Sequence, residues 1–135
     1  MKTTFDTDAI LFDLLSKSSI KDEINGGIYV GDTRPINSKG EDIVINTIDL
    51  TQEHLPQLAT SNVNIYVADT HKTIGGEKQL QANRVRLRKL TKKAMAVLRK
   101  ARIPGLRLVL DSQTTLAEPR ISQHFANIRV KWIIH

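Results

Sequence analysis

The stretch ISQHFANIRVKWII, Ile121–Ile134, decides the fold. Side chains alternate across an extended chain. Ala126, Ile128, Val130, Trp132 and Ile134 therefore fall on one side, and Phe125, Asn127, Arg129, Lys131 and Ile133 on the other. A strand this long with one continuously apolar face needs neighbours beside it and a layer above it. Upstream, GLRLVLD (Gly105–Asp111) alternates Leu106, Leu108 and Leu110, which predicts a second strand. SNVNIYVADT (Ser61–Thr70) sets Val63, Ile65 and Val67 against Asn64 and Tyr66, a half-buried strand. DIVINTIDL (Asp42–Leu50) is rich in β-branched residues, and GIYV (Gly27–Val30) follows the turn signal INGG.

Two helices complete the set. Asp6 or Thr7 can cap a first helix that carries Ile10, Leu11, Leu14 and Leu15 on one face and ends near Ser18. A long second helix is predicted from about Glu77 to Arg102, closed by IPG. Leu87, Leu90, Ala94, Val97, Leu98 and Ala101 recur on it at spacings of three and four, and this stripe must pack on the sheet. The segments GDTRPINSKGED (31–42), TQEHLPQLAT (51–60), HKTIGGEK (71–78) and SQTTLAEP (112–119) are expected as loops or connections. The resulting class is α+β: one domain over 1–135, an antiparallel or mixed sheet with an N-terminal helix and one long basic helix packed on it.

Composition narrows the function classes. With 40% hydrophobic and 25% charged residues the chain resembles an ordinary globular protein. Its length suffices for one core, since such a chain buries roughly two-thirds of its unfolded surface. Without cysteine there is neither a disulfide framework nor a thiolate metal site. Asp6, Asp8 and Asp13 interrupt the first residues, so they lack the apolar core of a signal peptide. No apolar run is long enough to span a bilayer, and no membrane partner is expected.

The net charge of +6 is unevenly spread. Glu77–Arg102 holds ten Lys/Arg and one Glu, whereas the rest of the chain holds ten Lys/Arg and thirteen Asp/Glu. Arg84, Arg86, Arg88, Lys89, Lys92, Lys93, Arg99 and Lys100 spread over the arc that the apolar stripe leaves free. A solvated helix face would carry charges too, but it normally mixes signs to gain Glu–Lys pairs at a spacing of four. Like charges four apart, as in Arg84–Arg88 and Lys89–Lys93, each cost a few tenths of a kcal/mol. The face therefore suits an anionic partner: a phosphate backbone contacted without regard to sequence, or an acidic protein surface. No helix–turn–helix pattern surrounds it and no aromatics interleave it for base stacking.

The sequence offers few residues arranged for chemistry. TIGGEK lacks the spacing of a phosphate loop. His54, His71, His124 and His135 have no ligand spacing, and Asp69 with His71 alone falls short of a metal site. No lysine follows an acidic residue by two, as a metal-dependent nuclease would require, and no serine sits in a nucleophile elbow. The acidic pairs Asp22–Glu23 and Glu41–Asp42 are expected to be solvated. No catalytic residue, cofactor site or metal site is expected.

In its order of elements the chain resembles the tail-terminator or tail-completion proteins of tailed bacteriophages. The features that carry the resemblance are DAILFDLLSKSS (8–19), INGGIYVGDTRP (24–35), SNVNIYVADT leading to a long helix, and the last strand RISQHFANIRVKW (120–132). The likeness spans nearly the whole chain and lies in layout rather than in any fixed motif. It implies a non-enzymatic virion component, a ring typically of six subunits that ends the tail tube and joins it to the neck below the portal. Its partners would be further copies of itself, tail-tube and neck or adaptor proteins, and packaged DNA passing through the lumen. The basic face would then meet either DNA or a neighbouring subunit, and Arg34, Lys39, Glu41 and Asp42 would mark a ring-contact loop. The alternative is a nucleic-acid-binding accessory protein that uses helix 77–102 without sequence preference.

Overall fold

The computed structural model describes residues 1–135. The last strand does organise the molecule. β7 (Gln123–Ile134) lies between β3 (Gln57–Ala68) and β6 (Leu106–Glu118), antiparallel to both. β2 (Ile43–Leu50) continues the sheet beyond β3, and β1 (Ile28–Val30) runs parallel to β2 at the edge. The five-stranded sheet is thus mixed, in the order β1-β2-β3-β7-β6. Its inner face is the one read from alternation: Ala126, Ile128, Val130, Trp132 and Ile134 are buried together with Val63, Ile65 and Val67.

The helices cover that face. α1 (Thr4–Ser16) packs on β1 and β2 through Leu11 and Leu15, and the short α2 (Ile20–Glu23) adds Ile20. α3 (Arg84–Lys100) lies across β3, β7 and β6, burying Leu87, Leu90, Ala94 and Leu98. Val97 and Ala101 are only half-buried. Twenty apolar residues from the helices and strands form one core. No helix is long and apolar enough to cross a membrane.

A buried polar chain crosses this core. Trp132 Nε1 donates to Ser61 Oγ at 2.9 Å, and Ser61 Oγ lies 2.7 Å from Thr47 Oγ1. Thr47 Oγ1 donates to Asp8 Oδ1 at 2.7 Å, and Thr7 Oγ1 stands 2.7 Å from Thr47 Oγ1. A hydroxyl has one proton and two lone pairs, so the donors run in one direction, from the indole through Ser61 and Thr47 to the carboxylate. The chain ties β7, β3, β2 and α1 together.

Four boundaries differ from the sequence reading. α1 begins at Thr4 rather than after Asp6: the Asp6 carboxylate reaches back to the Thr3 backbone N–H (2.7 Å) and hydroxyl (2.9 Å). Such a reciprocal contact holds the first turn. α3 begins at Arg84, not Glu77, because 70–81 is a hairpin, β4 (Thr70–Ile74) and β5 (Glu77–Gln81). Gly75 and Gly76 both have positive φ, +59° and +82°, which makes the two-residue turn that matches strand twist. SQTTLAEP is mostly strand, since β6 runs to Glu118 before a 3-10 turn at Pro119–Ile121. A bulge at Asp111, between Leu110 and Ser112, ends the packed part of β6, and Ser112–Ala117 continue paired to β7 but exposed. Finally, β3 starts at Gln57, inside what read as a connection.

Candidate interaction surface

The eight basic residues of α3 divide into two rows. Arg86, Lys89 and Lys93, spaced three and four apart, face α2 and the loop before β2. Arg86 Nε and Nη2 each donate to Glu41 at 2.7 Å, and Nη2 also donates to the Glu23 carbonyl at 2.6 Å. Lys89 and Lys93 bracket Glu23 at 2.7 and 3.1 Å. Hydrogen bonds from Lys89 first, and then Lys93, bring the Glu23 carboxyl down to about 2. Arg86 likewise lowers Glu41, and Glu41 raises Arg86. These three cations are compensated, contrary to the uncompensated face read from the sequence. Their partners are distant in the chain, so no pattern within the helix announces them.

The second row faces β6. Arg84, Arg88 and Lys92 follow one another at a spacing of four, and Arg99 and Lys100 extend the row. They line an open groove of about 1010 Å³ whose other wall includes Gln113 and Thr115 of β6. Its apolar lining is Val85, Leu87, Met95 and Ala96. Val85, in the first turn of α3, is 83% exposed. Toward the C-terminal end the groove is continued by Arg99, Arg102, Pro104, Leu106 and Arg107. Arg102 also donates to the carbonyls of Arg99 and Ala101, closing the helix end. No acidic residue lines either part.

The loop 31–42 is folded inward. Arg34 Nε donates to Asp42 Oδ2 at 2.8 Å and Nη2 to Gln123 Oε1 at 2.8 Å. The Arg34 guanidinium also sits 3.9 Å over the Tyr66 ring, which stacks on Phe125. Asp42 further accepts from Ser38 Oγ (2.6 Å) and the Gly27 N–H (2.9 Å). A Cβ on Gly26 would meet Asp42 Oδ1 at 2.1 Å, so this approach requires glycine. Glu41 and Asp42, read as solvated, are 9% and 1% exposed: their charges are held by Arg86 and Arg34. Of the four residues expected at a ring contact, Lys39 alone points outward.

The histidines stay apart. Asp69 pairs with His124 Nδ1 at 2.6 Å rather than with His71, which lies on the exposed hairpin. No group of three or more His, Cys, Asp or Glu is placed to hold a metal ion. The sequence reading missed the apolar lining of the groove and the β6 wall. Val85, an exposed apolar residue off the buried stripe, was the available signal. No family model and no curated protein sequence matches this chain.

Proposed function

We propose that this chain is a non-enzymatic structural subunit of a tailed-phage particle, a ring-forming tail-terminator or neck component. The observation that carries the reading is regular structure with nothing to pack on. The β4–β5 hairpin projects with every residue from His71 to Leu80 exposed, and the Asp111–Ala117 part of β6 is a long open edge. An isolated two-stranded hairpin is marginal in water, and an open edge invites pairing with another chain. Both suit a subunit that completes its packing in an assembly. The layout resemblance supplies which assembly. Electron microscopy of the particle with the chain labelled tests it: a ring of copies where tail meets neck is expected. A single copy per particle, or a location elsewhere, removes the reading.

The second reading, sequence-independent nucleic-acid binding, is favoured by the row Arg84, Arg88, Lys92 and Arg99, which no carboxylate compensates. It expects duplex DNA affinity to fall as salt rises, with a log–log slope of about −0.9 per phosphate neutralised. Weak binding without that slope would exclude it.

A further inference from the structure

We propose that the groove between α3 and β6 receives the outer face of α1 from a second copy of this chain, joining copies head to tail. The inference rests on the assembly reading above and names the contact that builds it.

Two exposed surfaces of the same chain complement each other. The groove combines a basic rim with the apolar Val85, Met95 and Ala96. α1 has no basic residue; Asp6 and Asp13 are exposed on it, whereas Asp8 turns inward to Thr47. Phe5, Ala9 and Phe12 are exposed on it at spacings of four and three, which forms a single outward stripe. Phe5 is 82% exposed. Asp6 and Asp13 each follow one of these phenylalanines and flank the stripe. Asp13 is engaged only by an exposed contact to Lys17 at 3.8 Å, which a stronger partner displaces easily. A phosphate backbone would answer the charge of the groove but leave Val85 and Met95 without a counterpart. The α1 face answers both.

Size and position agree. A helix rises about 1.5 Å per residue, so α1 is about 20 Å long and α3 about 25 Å. α1 sits over β1 and β2, at the opposite end of the sheet from β6, so the helix of one copy cannot fill its own groove. Contact between two different patches is heterologous, and it closes into a ring when the rotation between copies permits.

The test is a charge swap. Arg88→Glu with Lys92→Glu makes one variant, and Ala9→Lys with Asp13→Lys makes the other. Both replace exposed positions four apart on one helix face. Association is read by carbodiimide coupling, which joins touching carboxylates and amines, followed by mass spectrometry; this captures weak contacts in solution and contacts in the particle. The wild type should couple Asp6 or Asp13 to Lys92 or Lys100 of another copy. Each variant alone should lose multimers, and an equimolar mixture should regain them, which also shows that both variants fold. Multimers that persist in either variant, or that the mixture fails to regain, overturn the inference. Unchanged multimers with loss of duplex-DNA retention in Arg88→Glu/Lys92→Glu overturn it in favour of phosphate contact. A ring that forms in the particle without these couplings sinks this contact alone. No multimer in solution or particle sinks the assembly reading as well.

Discussion

Arg86 grips Glu41 with two nitrogens, Nε and Nη2, each at 2.7 Å. A third bond, from Nη2 to the Glu23 carbonyl, makes the same guanidinium the link between α3, the end of α2 and the loop before β2. Because Glu41 is buried, removing the arginine leaves a carboxylate without its partner. Arg86→Ala should cost about 1.5–3 kcal/mol, the range for hydrogen bonds to charged groups. Arg88→Ala, two positions on and facing the groove, should stay within about 0.5 kcal/mol, as free surface positions do. Urea unfolding of the two variants checks the contrast. Equal midpoints would show that Arg86 contributes no more than a solvated arginine.

Acid should expose the same cluster. Glu23 titrates near 2 in the folded chain, below the ordinary glutamate range, because Lys89 and then Lys93 bond its ionised form. A folded value below the unfolded one stabilises the fold above the unfolded value, and that stability fades as pH falls toward the folded one. The contribution is therefore whole at neutral pH and lost between about pH 5 and pH 2. Lys89→Met with Lys93→Met should flatten that acid limb while leaving the fold intact. Unfolding midpoints measured down the pH scale read it; an acid limb as steep as that of the wild type would mean that the pairs do not form in solution.

How much was legible follows from the range of each signal. Alternation in β3 and β7 is local, and their faces follow from it directly. The start of α3 was obscured because Glu77–Ala82 are mostly good helix formers. The hairpin overrides that propensity through the Gly75–Gly76 turn, and the true start is marked by Asn83, whose Oδ1 accepts from the Arg86 N–H. The exposed half of β6 read as loop because a strand packed on neither face loses the apolar alternation that identifies strands. The division of the basic face was illegible for another reason. Glu41 and Glu23 lie 45 and 63 residues from Arg86 in the chain, so tertiary structure alone brings them to the helix.

Trp132 anchors the sheet twice, by volume and by its N–H. It is 1% exposed and donates to Ser61. Trp132→Ala should cost about 3–5 kcal/mol, the range for emptying a large aromatic site. Ser61→Ala keeps the volume but strands the indole N–H, while the Thr47 hydroxyl keeps its bond to Asp8, for about 1–3 kcal/mol. As the sole tryptophan, Trp132 reports on its own site, so native emission should be blue-shifted and should move red on unfolding. A native spectrum already at the position of exposed indole would contradict the packing of β7.

The β4–β5 hairpin should be dispensable for folding and needed for assembly. Every residue from His71 to Leu80 is exposed, and the side chains reach no part of the core. Lys72 and Lys78 stand on its two strands, close to the Gly75–Gly76 turn. Trypsin should therefore cut the free chain at these lysines before any site in α3, where cleavage requires opening the helix. If the proposed assembly forms over the hairpin, the same bonds should resist in assembled particles. Replacing Thr70–Gln81 by a short flexible turn should leave the unfolding midpoint close to that of the wild type while ring formation fails. If the shortened chain assembles at normal yield, or the lysines remain equally cleavable in the particle, the hairpin takes no part in subunit contacts.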